Sequence, residues 1–264
     1  MKPISSLQNP RFKSALKLHT SRGRTQQNRF IVFGERECRR AILSGLVPAE
    51  VYACTELLDT NALEWLQESV PNECSYQITP EMNAKLQYGS RTDGLAMVAE
   101  RPVLELDSLH LESQSLVVVL EAIEKPGNLG AILRSCDGAG VNAVLTANPL
   151  TDFYHPNCIR ASMGAVFSMS LGSGDTNSIQ EFLRQNGFRG FVAVVDGTSP
   201  FHSTDFKAER CALVFGNEAN GLSDSWRSED WLGIKIPMRG MGDSLNVSVS
   251  VAIVAYEAAN QRVK

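Results

Sequence analysis

"SLVVVLEAI", residues 115–123, is an almost unbroken run of apolar side chains. Such a run is typical of a strand that is buried on both faces, as strands inside a parallel sheet are. A glycine-containing turn, "EKPGNLG" (124–130), follows it, and then a predicted helix that ends at Gly140. A buried strand that leads through such a turn into a helix is the repeating unit of an α/β fold.

The C-terminal half of the chain repeats this alternation. We predict strands at "VNAVLTA" (141–147), "AVFSMSL" (165–171), "FVAVVDG" (191–197), "CALVFG" (211–216) and "GIKIPM" (233–238), and helices near 156–163 and over 177–186. Alternating strands and helices predict a largely parallel sheet that is covered by helices on both faces.

The last segment, "SLNVSVSVAIVAYEAANQ" (244–261), carries two patterns at once. Its valines alternate as in a strand, whereas small residues recur with helical spacing at positions 248, 252, 255 and 259. Its length and its Ala-Tyr-Glu-Ala-Ala stretch (255–259) favour a helix. The small-residue face suits either a contact with a second subunit or packing against the chain's own sheet, and the sequence leaves both open.

The N-terminal half predicts a smaller α/β unit. Its predicted helices cover 10–20, 35–45, 60–69 and 80–87, and its predicted strands cover 29–33, 50–54, 76–79 and 95–100. The weakly patterned stretch 101–115 separates the two halves. We therefore predict an N-terminal domain over residues 1–105 and a C-terminal domain over residues 115–264.

The composition indicates a globular protein with a substantial core, since 43% of the 264 residues are hydrophobic and 20% are charged. The opening "MKPISSLQNPRFK" has no apolar core of the kind that a secretory signal needs. No run of about 18 apolar residues predicts a membrane span. Six scattered cysteines form no CxxC pair and no cluster with histidine. We therefore expect a cytoplasmic protein with reduced thiols and no metal site.

The net charge of −4 hides an asymmetry. Residues 1–40 carry ten Lys or Arg against two acids, a formal charge of +8, so the remainder carries −12. A basic segment on an acidic body is typical of a local contact with phosphates. The alternative is a solvated helix face that happens to be basic.

Three strand-to-helix junctions carry glycine together with polar side chains. They are "EAIEKPGNLGAILRSCDGAGV" (121–141), "LVFGNEANGLSD" (213–224) and "IPMRGMGDSLNVSV" (236–249). Loops at the ends of neighbouring parallel strands build ligand pockets in α/β proteins. "GMGDSL" (240–245) begins like the dinucleotide fingerprint GxGxxG but lacks its third glycine, which argues against a nucleotide-dependent oxidoreductase. The motifs GxxxxGK[ST], GxSxG and HExxH do not occur, which argues against a nucleotide hydrolase, an esterase and a zinc protease.

At these junctions the chain resembles a known family. "PGNLGAILR" (126–134), "LVFGNEANGLSD" and "IPMRGMGDSLNVSVSVAIVAYE" (236–257) resemble, in order and spacing, the three motifs of the SpoU (TrmH-like) RNA ribose methyltransferases of the SPOUT superfamily. The intervening stretch "HPNCIRASMGAVF" (155–167) also resembles the corresponding segment of these enzymes. The N-terminal "ISSLQNPRFKSALKL" (4–18) and "TDGLAMVAERP" (92–102) are similar to the substrate-binding domain that is often fused to these enzymes and is related to a ribosomal-protein fold.

The resemblance implies a C-terminal domain with a trefoil knot, a homodimer formed partly through the last helix, and S-adenosylmethionine as the methyl donor. By match to the motifs, the implied catalytic residues are Asn128, Arg134, Glu218, Ser244 and Asn246. The implied cofactor-binding residues are Leu213, Val214, Phe215, Gly216, Asn217, Glu218, Ile236, Pro237, Met238, Ser244, Leu245 and Asn246.

The chemistry that the family performs gives these side chains roles. Arginine is a poor base at its usual pKa, so we expect Arg134 to hold a phosphate and stabilise negative charge on the acceptor oxygen. We expect Glu218 to orient Arg134, and the asparagines and Ser244 to fix the reactants by hydrogen bonds. The identity of the general base stays open.

A ribose 2′-hydroxyl occurs in RNA and not in DNA, so the expected partner is RNA, with ribosomal RNA favoured by the fused N-terminal domain. The basic segment then predicts RNA contacts at Arg11, Lys13, Lys17, Arg22, Arg24 and Arg29. Transfer RNA is the alternative substrate. A base methyltransferase of the same superfamily and a catalytically silent RNA-binding protein are the alternative functions, and the intact motif tips argue against the last.

Overall fold

The computed structural model describes residues 1–89 and 93–262, so Thr92 of the quoted N-terminal motif and the last two residues of the predicted C-terminal domain lie outside it. In chain order the elements are β1 (Lys2–Ile4), α1 (Pro10–Lys17), α2 (Ser21–Gln27), β2 (Arg29–Phe33), α3 (Glu35–Leu43), β3 (Pro48–Ala53), α4 (Thr60–Ser69), β4 (Ser75–Ile78), α5 (Pro80–Leu86), β5 (Leu95–Glu100), β6 (Ser115–Glu121), α6 (Pro126–Ala139), β7 (Ala143–Ala147), α7 (Pro156–Ala161), β8 (Ser170–Gly174), α8 (Thr176–Gln185), β9 (Arg189–Ala193), β10 (Ser199–Pro200), β11 (Arg210–Phe215), β12 (Trp231–Lys235) and α9 (Val247–Arg262).

The chain forms two compact units. The first contains Met1–Pro102 together with Asp152–Ser168, and the second contains Val103–Thr151 and Met169–Lys264. The predicted domain ranges, 1–105 and 115–264, stay predictions. The structure adds that a segment from inside the second range folds as part of the first unit.

The first unit is built on a mixed five-stranded sheet in the order β1-β4-β3-β5-β2. Strands β1, β4 and β3 are parallel, and β5 runs antiparallel to both β3 and β2. The segment 152–168 supplies aromatic cover for this sheet. Phe30, which is fully buried, has its ring centroid 4.5 Å from that of Tyr154 and 6.2 Å from that of Phe167.

An internal ion pair ties the same segment to α2. Arg24 is 1% exposed, and its Nη2 and Nε donate to Asp152 Oδ2 at 2.7 and 3.2 Å. Its Nη1 donates to the carbonyls of Leu18 and His19 at 3.0 and 3.1 Å. Arg24 was predicted to contact RNA, and the structure corrects that assignment. The guanidinium is buried and its nitrogens already donate to groups inside the protein, so it cannot reach a phosphate.

The second unit is built on a seven-stranded sheet in the order β10-β12-β9-β11-β6-β7-β8, and every pairing in it is parallel. This confirms the α/β class and the parallel sheet. The predicted strand at 165–171 differs. Residues 165–167 form a 3-10 turn after Gly164, which has φ +87°, and the strand begins at Ser170. The short β1 and β10 and the helix α2 were not predicted.

The C-terminal segment is a helix, as its length favoured. α9 buries Val247, Val251, Val254, Ala255 and Ala258 and packs against α6. The side chain of Tyr256 reaches α6, since a Cβ on Gly138 would lie 2.7 Å from its hydroxyl. Internal packing thus accounts for the buried side chains of α9, while Val249 and about half of the Tyr256 side chain are exposed.

Within residues 1–89 and 93–262, none of the helices has the length and apolar character needed to cross a bilayer. The same residues contain no group of three or more His, Cys, Asp or Glu side chains that is arranged to hold a metal ion. All six cysteines are free thiols, and five of them are buried.

The ion pair between α2 and the 152–168 segment gives a stability prediction. We expect Asp152→Ala to lower the free energy of unfolding by about 3 kcal/mol, because it leaves a buried guanidinium without its counter-charge. Asp230→Ala is the matched control, since the Arg184–Asp230 pair has a similar distance of 3.0 Å but side chains that are 48% and 56% exposed. The control substitution should lower the free energy of unfolding, measured by chemical denaturation, by less than about 1 kcal/mol. Equal losses would contradict the assigned role of Arg24.

His155 gives a pH prediction. Its Nδ1 accepts a hydrogen bond from the Asn157 amide at 3.1 Å and so caps α7, which requires an unprotonated Nδ1. Burial lowers the pKa of His155 below the ordinary 6.5, and the charge of Arg24 lowers it further. The unfolded chain therefore binds the proton more readily, so this contribution is complete above pH 6.5 and is lost as the pH falls through the folded-state pKa.

The comparison variant is His155→Asn, which keeps a capping oxygen but does not titrate. Between about pH 7.5 and about pH 5.5, the free energy of unfolding of the wild type should fall by roughly 1 kcal/mol more than that of the variant, the usual worth of a cap. Burial also lowers the pKa of His19. His19 is present in both proteins, so its contribution to the pH dependence cancels in the comparison. Parallel pH profiles would rule out the titrating cap.

Candidate active site

A cavity of about 380 Å³ in the second unit is lined by loops that follow β9, β11 and β12 and by the start of α9. The carboxyl ends of parallel strands lie at one edge of the sheet, which is where open α/β sheets bind ligands. The volume lies within the range of small-molecule sites.

The loop after β11 doubles back on itself. The amide of Asn217 donates to the carbonyl of Gly221 at 3.0 Å, and the amide of Gly221 donates to the carbonyl of Asn217 at 2.9 Å. A Cβ on Gly216 would lie 2.2 Å from the carbonyl carbon of Gly221, which itself has φ +68°. Only glycine fits at residue 216, because any larger residue would collide with the returning backbone.

The side-chain amide of Asn217 holds this loop from within. Its Nδ2 donates to the carbonyl of Ala122 at 2.8 Å and to Glu124 Oε1 at 3.1 Å. Its Oδ1 accepts from the amides of Ala219 and Asn220 at 2.7 and 3.2 Å. Asn217 is 7% exposed, and both polar atoms of its side chain have hydrogen-bond partners inside the protein. Its side chain therefore shapes the loop.

Three predicted catalytic residues from three different segments form one hydrogen-bonded chain. Asn128 Nδ2, in the first turn of α6, donates to Glu218 Oε1. Asn246 Nδ2 donates to Asn128 Oδ1 at 3.4 Å, while Asn246 Oδ1 accepts from the amide of Ser248 at 2.9 Å and so caps α9. Glu218 thus fixes the amide of Asn128, which differs from the expectation that it would orient Arg134.

Arg134 lies on the exposed side of α6. Its side chain makes no hydrogen bond or ion pair with any residue that the structure describes, and it does not line the cavity. Ser244, by contrast, lines the cavity. An exposed guanidinium without a partner among the described residues is available to a polyanionic ligand.

Most residues that were predicted to bind the cofactor do line the cavity, namely Phe215, Gly216, Asn217, Glu218, Ile236, Met238, Ser244 and Leu245. The other four do not. Leu213 and Val214 are fully buried within β11, and Pro237 and Asn246 lie outside the lining.

One wall of this cavity was not predicted from the sequence. Ala193, Val194 and Val195, at the end of β9, line it together with Lys235 and Asp243. The strand itself was predicted from "FVAVVDG", but its position between β11 and β12 depends on strand order. The lining residues at the end of β9 are all apolar, so a search of the sequence for reactive side chains does not find this wall.

Arg227 also lines the cavity and forms a surface ion pair there. Its Nη1 lies 2.9 Å from Asp196 Oδ2, and its Nε lies 3.7 Å from Asp224 Oδ1. The hydrogen bond from Arg227 lowers the pKa of the Asp196 carboxyl. The pair connects the loop after β9 to the segment before β12.

Comparison with known proteins agrees with this architecture. The model of the SpoU rRNA Methylase family matches residues 115–256, and that of the MRM3-like substrate binding domain matches residues 9–96. The chain is 27% identical to the 23S rRNA (guanosine(2553)-2′-O)-methyltransferase RlmP of Bacillus subtilis, over 97% of this chain and 98% of that protein.

Solved structures agree over nearly the whole chain. A crystal structure described as an RNA 2′-O ribose methyltransferase is 31% identical with a TM-score of 0.84, and 98% of each chain is covered. The SpoU methyltransferase AviRb of Streptomyces viridochromogenes, crystallised with AdoMet, is 25% identical with a TM-score of 0.87, over 96% of this chain and 98% of that one. Motifs, fold and relatives coincide, and the chain belongs to the SpoU rRNA methylase family.

Proposed function

We propose that this protein transfers a methyl group from S-adenosylmethionine to a ribose 2′-hydroxyl of RNA, most directly ribosomal RNA. The observation that carries the proposal is the chain Glu218–Asn128–Asn246, which brings polar tips from all three motifs to the rim of one cavity. Ribosomal RNA is favoured because the 23S rRNA enzyme that this chain resembles is matched over 98% of its length, N-terminal domain included.

The residues around the cavity suit S-adenosylmethionine. Leu222, Ile236, Leu245 and Val254 offer apolar surface for an adenine ring, and Glu218 and Asp243 offer negative charge to a sulfonium and an ammonium group. When bound, the cofactor supplies an activated methyl group. The chain's own part is to hold it between the loops after β11 and β12 and to keep water from the reacting centre.

The proposed catalytic side chains act on the acceptor. Arg134 holds a phosphate of the RNA and stabilises the charge that develops on the 2′-oxygen. Asn128 is held by Glu218 and Asn246, so its amide is oriented before the RNA arrives. Ser244, in the cavity wall, contributes a hydroxyl for positioning.

We also propose a homodimer, a trefoil knot at the C-terminus and a cytoplasmic location. The exposed apolar side chains of Val249 and Tyr256 on α9, with Met241 and Leu245 before it, support a subunit contact. The knot is the arrangement expected for the C-terminal segment of this family. The six free thiols support a reducing compartment.

The RNA surface of the first unit is proposed to include Arg11, Lys13, Lys17, Arg22 and Arg29. Arg11, Lys13, Lys17 and Arg22 are exposed, and Arg29 is partly exposed. Glu50 neutralises part of this charge, since it lies 3.3 Å from Arg11 and 3.9 Å from Arg29. Lys13, Lys17 and Arg22 have no carboxylate partner among the described residues, and we therefore expect them to be the strongest phosphate contacts.

The reaction is tested with methyl-labelled S-adenosylmethionine and unmodified ribosomal RNA or transfer RNA, followed by nuclease digestion. We expect label on a 2′-O-methylated nucleotide of ribosomal RNA. Arg134→Ala should lower turnover by roughly two orders of magnitude, as loss of a group that stabilises an oxyanion does. Arg184→Ala, which removes an exposed helical arginine far along the chain from the motifs, should leave turnover unchanged.

Each alternative has its own result. Label in transfer RNA alone would reassign the substrate, and label on a base would reassign the acceptor. Turnover of Arg134→Ala at the wild-type rate would remove that residue from the mechanism. Binding of RNA with no binding of S-adenosylmethionine would establish the silent RNA-binding protein instead.

The RNA surface is tested by the salt dependence of binding. Replacing Lys13, Lys17 and Arg22 together by alanine should reduce the slope of log affinity against log salt by about two, because each contact with a single strand contributes about 0.7. The control replaces Arg184, Arg189 and Lys207, three exposed cations of the second unit, and makes the same change in net charge. Equal slopes for the two triple variants would mean that only net charge matters.

A further inference from the structure

Glu121, the last residue of β6, is a buried carboxylate that none of the proposed roles uses. It is 4% exposed and does not line the cavity. A carboxylate is costly to bury unless hydrogen bonds replace its water. Its partners therefore indicate what the protein gains from keeping it there.

Both oxygens of Glu121 are engaged. Oε2 accepts from the backbone amide of Ser223 at 2.7 Å, and Oε1 accepts from the Ser223 hydroxyl at 2.8 Å. Oε1 also accepts from the hydroxyl of Thr176, at the start of α8, at 2.6 Å. That hydroxyl in turn accepts from Asn148 Nδ2 at 2.8 Å. Three donors thus converge on one carboxylate and replace the hydrogen bonds that water would make to it.

Ser223 is the far end of the loop that begins at Gly216. The near end is held by the Asn217 side chain, which donates to the carbonyl of Ala122 at 2.8 Å. Ala122 directly follows Glu121 and has φ +52°, a conformation that a non-glycine residue adopts only when its surroundings impose it. Two consecutive residues at the end of β6 thus anchor both ends of the loop 216–223.

The cavity depends on the span between these anchors. Residues 216–222 all line it, and Glu218, within that span, accepts the hydrogen bond from Asn128. A loop that is fixed before the ligand arrives binds more tightly than one that must become ordered during binding. If only a fraction of the molecules hold the loop in place, the apparent affinity falls by that fraction.

We propose that Glu121 is a positioning residue for cofactor binding, acting through Ser223 to hold the loop 216–223 in its receptive form. This inference rests on the proposed use of S-adenosylmethionine. Glu121 touches neither reactant, so it sets the affinity for the cofactor and not the rate of methyl transfer once the cofactor is bound.

The test compares three variants by calorimetric binding of S-adenosylmethionine and S-adenosylhomocysteine and by hydrogen exchange of the peptide 216–226. Glu121→Gln replaces one acceptor oxygen by a donor and cannot accept all three hydrogen bonds. It should bind both compounds about tenfold more weakly, while turnover at saturating cofactor stays within about twofold. Exchange in 216–226 should become faster.

Ser223→Ala removes the hydroxyl but keeps the backbone amide, so about threefold weaker binding is expected, as for loss of one hydrogen bond. This variant also decides the question if Glu121→Gln does not fold, since unchanged affinity would then overturn the proposal. Asp59→Ala is the stability control. It removes the cap of α4 in the first unit, where Asp59 Oδ1 accepts from the Ala62 amide at 2.8 Å, and it has no partner in common with Glu121. Its affinity should stay within about twofold of wild type despite a lower melting temperature.

Three results would overturn the positioning role. They are folded Glu121→Gln with wild-type affinity, equal weakening by Asp59→Ala, and loss of turnover with affinity unchanged. Wild-type protein that binds neither compound would overturn the proposed function itself, and the positioning role with it.

Discussion

The parallel pairing of β6 with β11 is the constraint on which the site depends. It runs from Arg210 opposite Ser115 to Phe215 opposite Leu120, so the two strands end side by side. The polar residues that follow each strand can then bond across the gap, as Asn217 does to Ala122 and Ser223 does to Glu121. A shift of the register by one residue would turn each side chain of β11 to the other face and separate these partners.

The sequence predicted the elements better than it predicted their partners. Helices and strands follow from periodicity and caps, which are local, so α4 at 60–69 and β5 at 95–100 were found with their observed bounds. The partner of Arg24 lies 128 residues away at Asp152, and no local pattern marks it. A buried arginine and an exposed one look alike in a basic stretch, which is why Arg24 was included in the predicted RNA surface.

The site shows the same division. Resemblance indicated the polar tips, and Asn128, Glu218 and Asn246 do come together. The structure was needed for what supports them, because the wall at the end of β9 is apolar and Glu121 reads as the polar end of a strand. Glu218 was expected to orient Arg134, but in the structure it accepts a hydrogen bond from the side-chain amide of Asn128. The side chains that touch a ligand are conspicuous in a sequence, whereas those that hold its loops are ordinary residues made specific by packing.

The segment 152–168 has a consequence for biosynthesis. Because it completes the first unit, the chain passes between the two units three times, at residues 102–103, 151–152 and 168–169. A ribosome makes the chain from its N-terminus, so the first unit cannot acquire Asp152, Tyr154 and Phe167 until β6, α6 and β7 have already emerged. The unit that contains the match to the substrate-binding family model is thus first in the gene but is not the first part able to finish folding. A recombination event that cut the gene once between the two halves would deliver this unit incomplete.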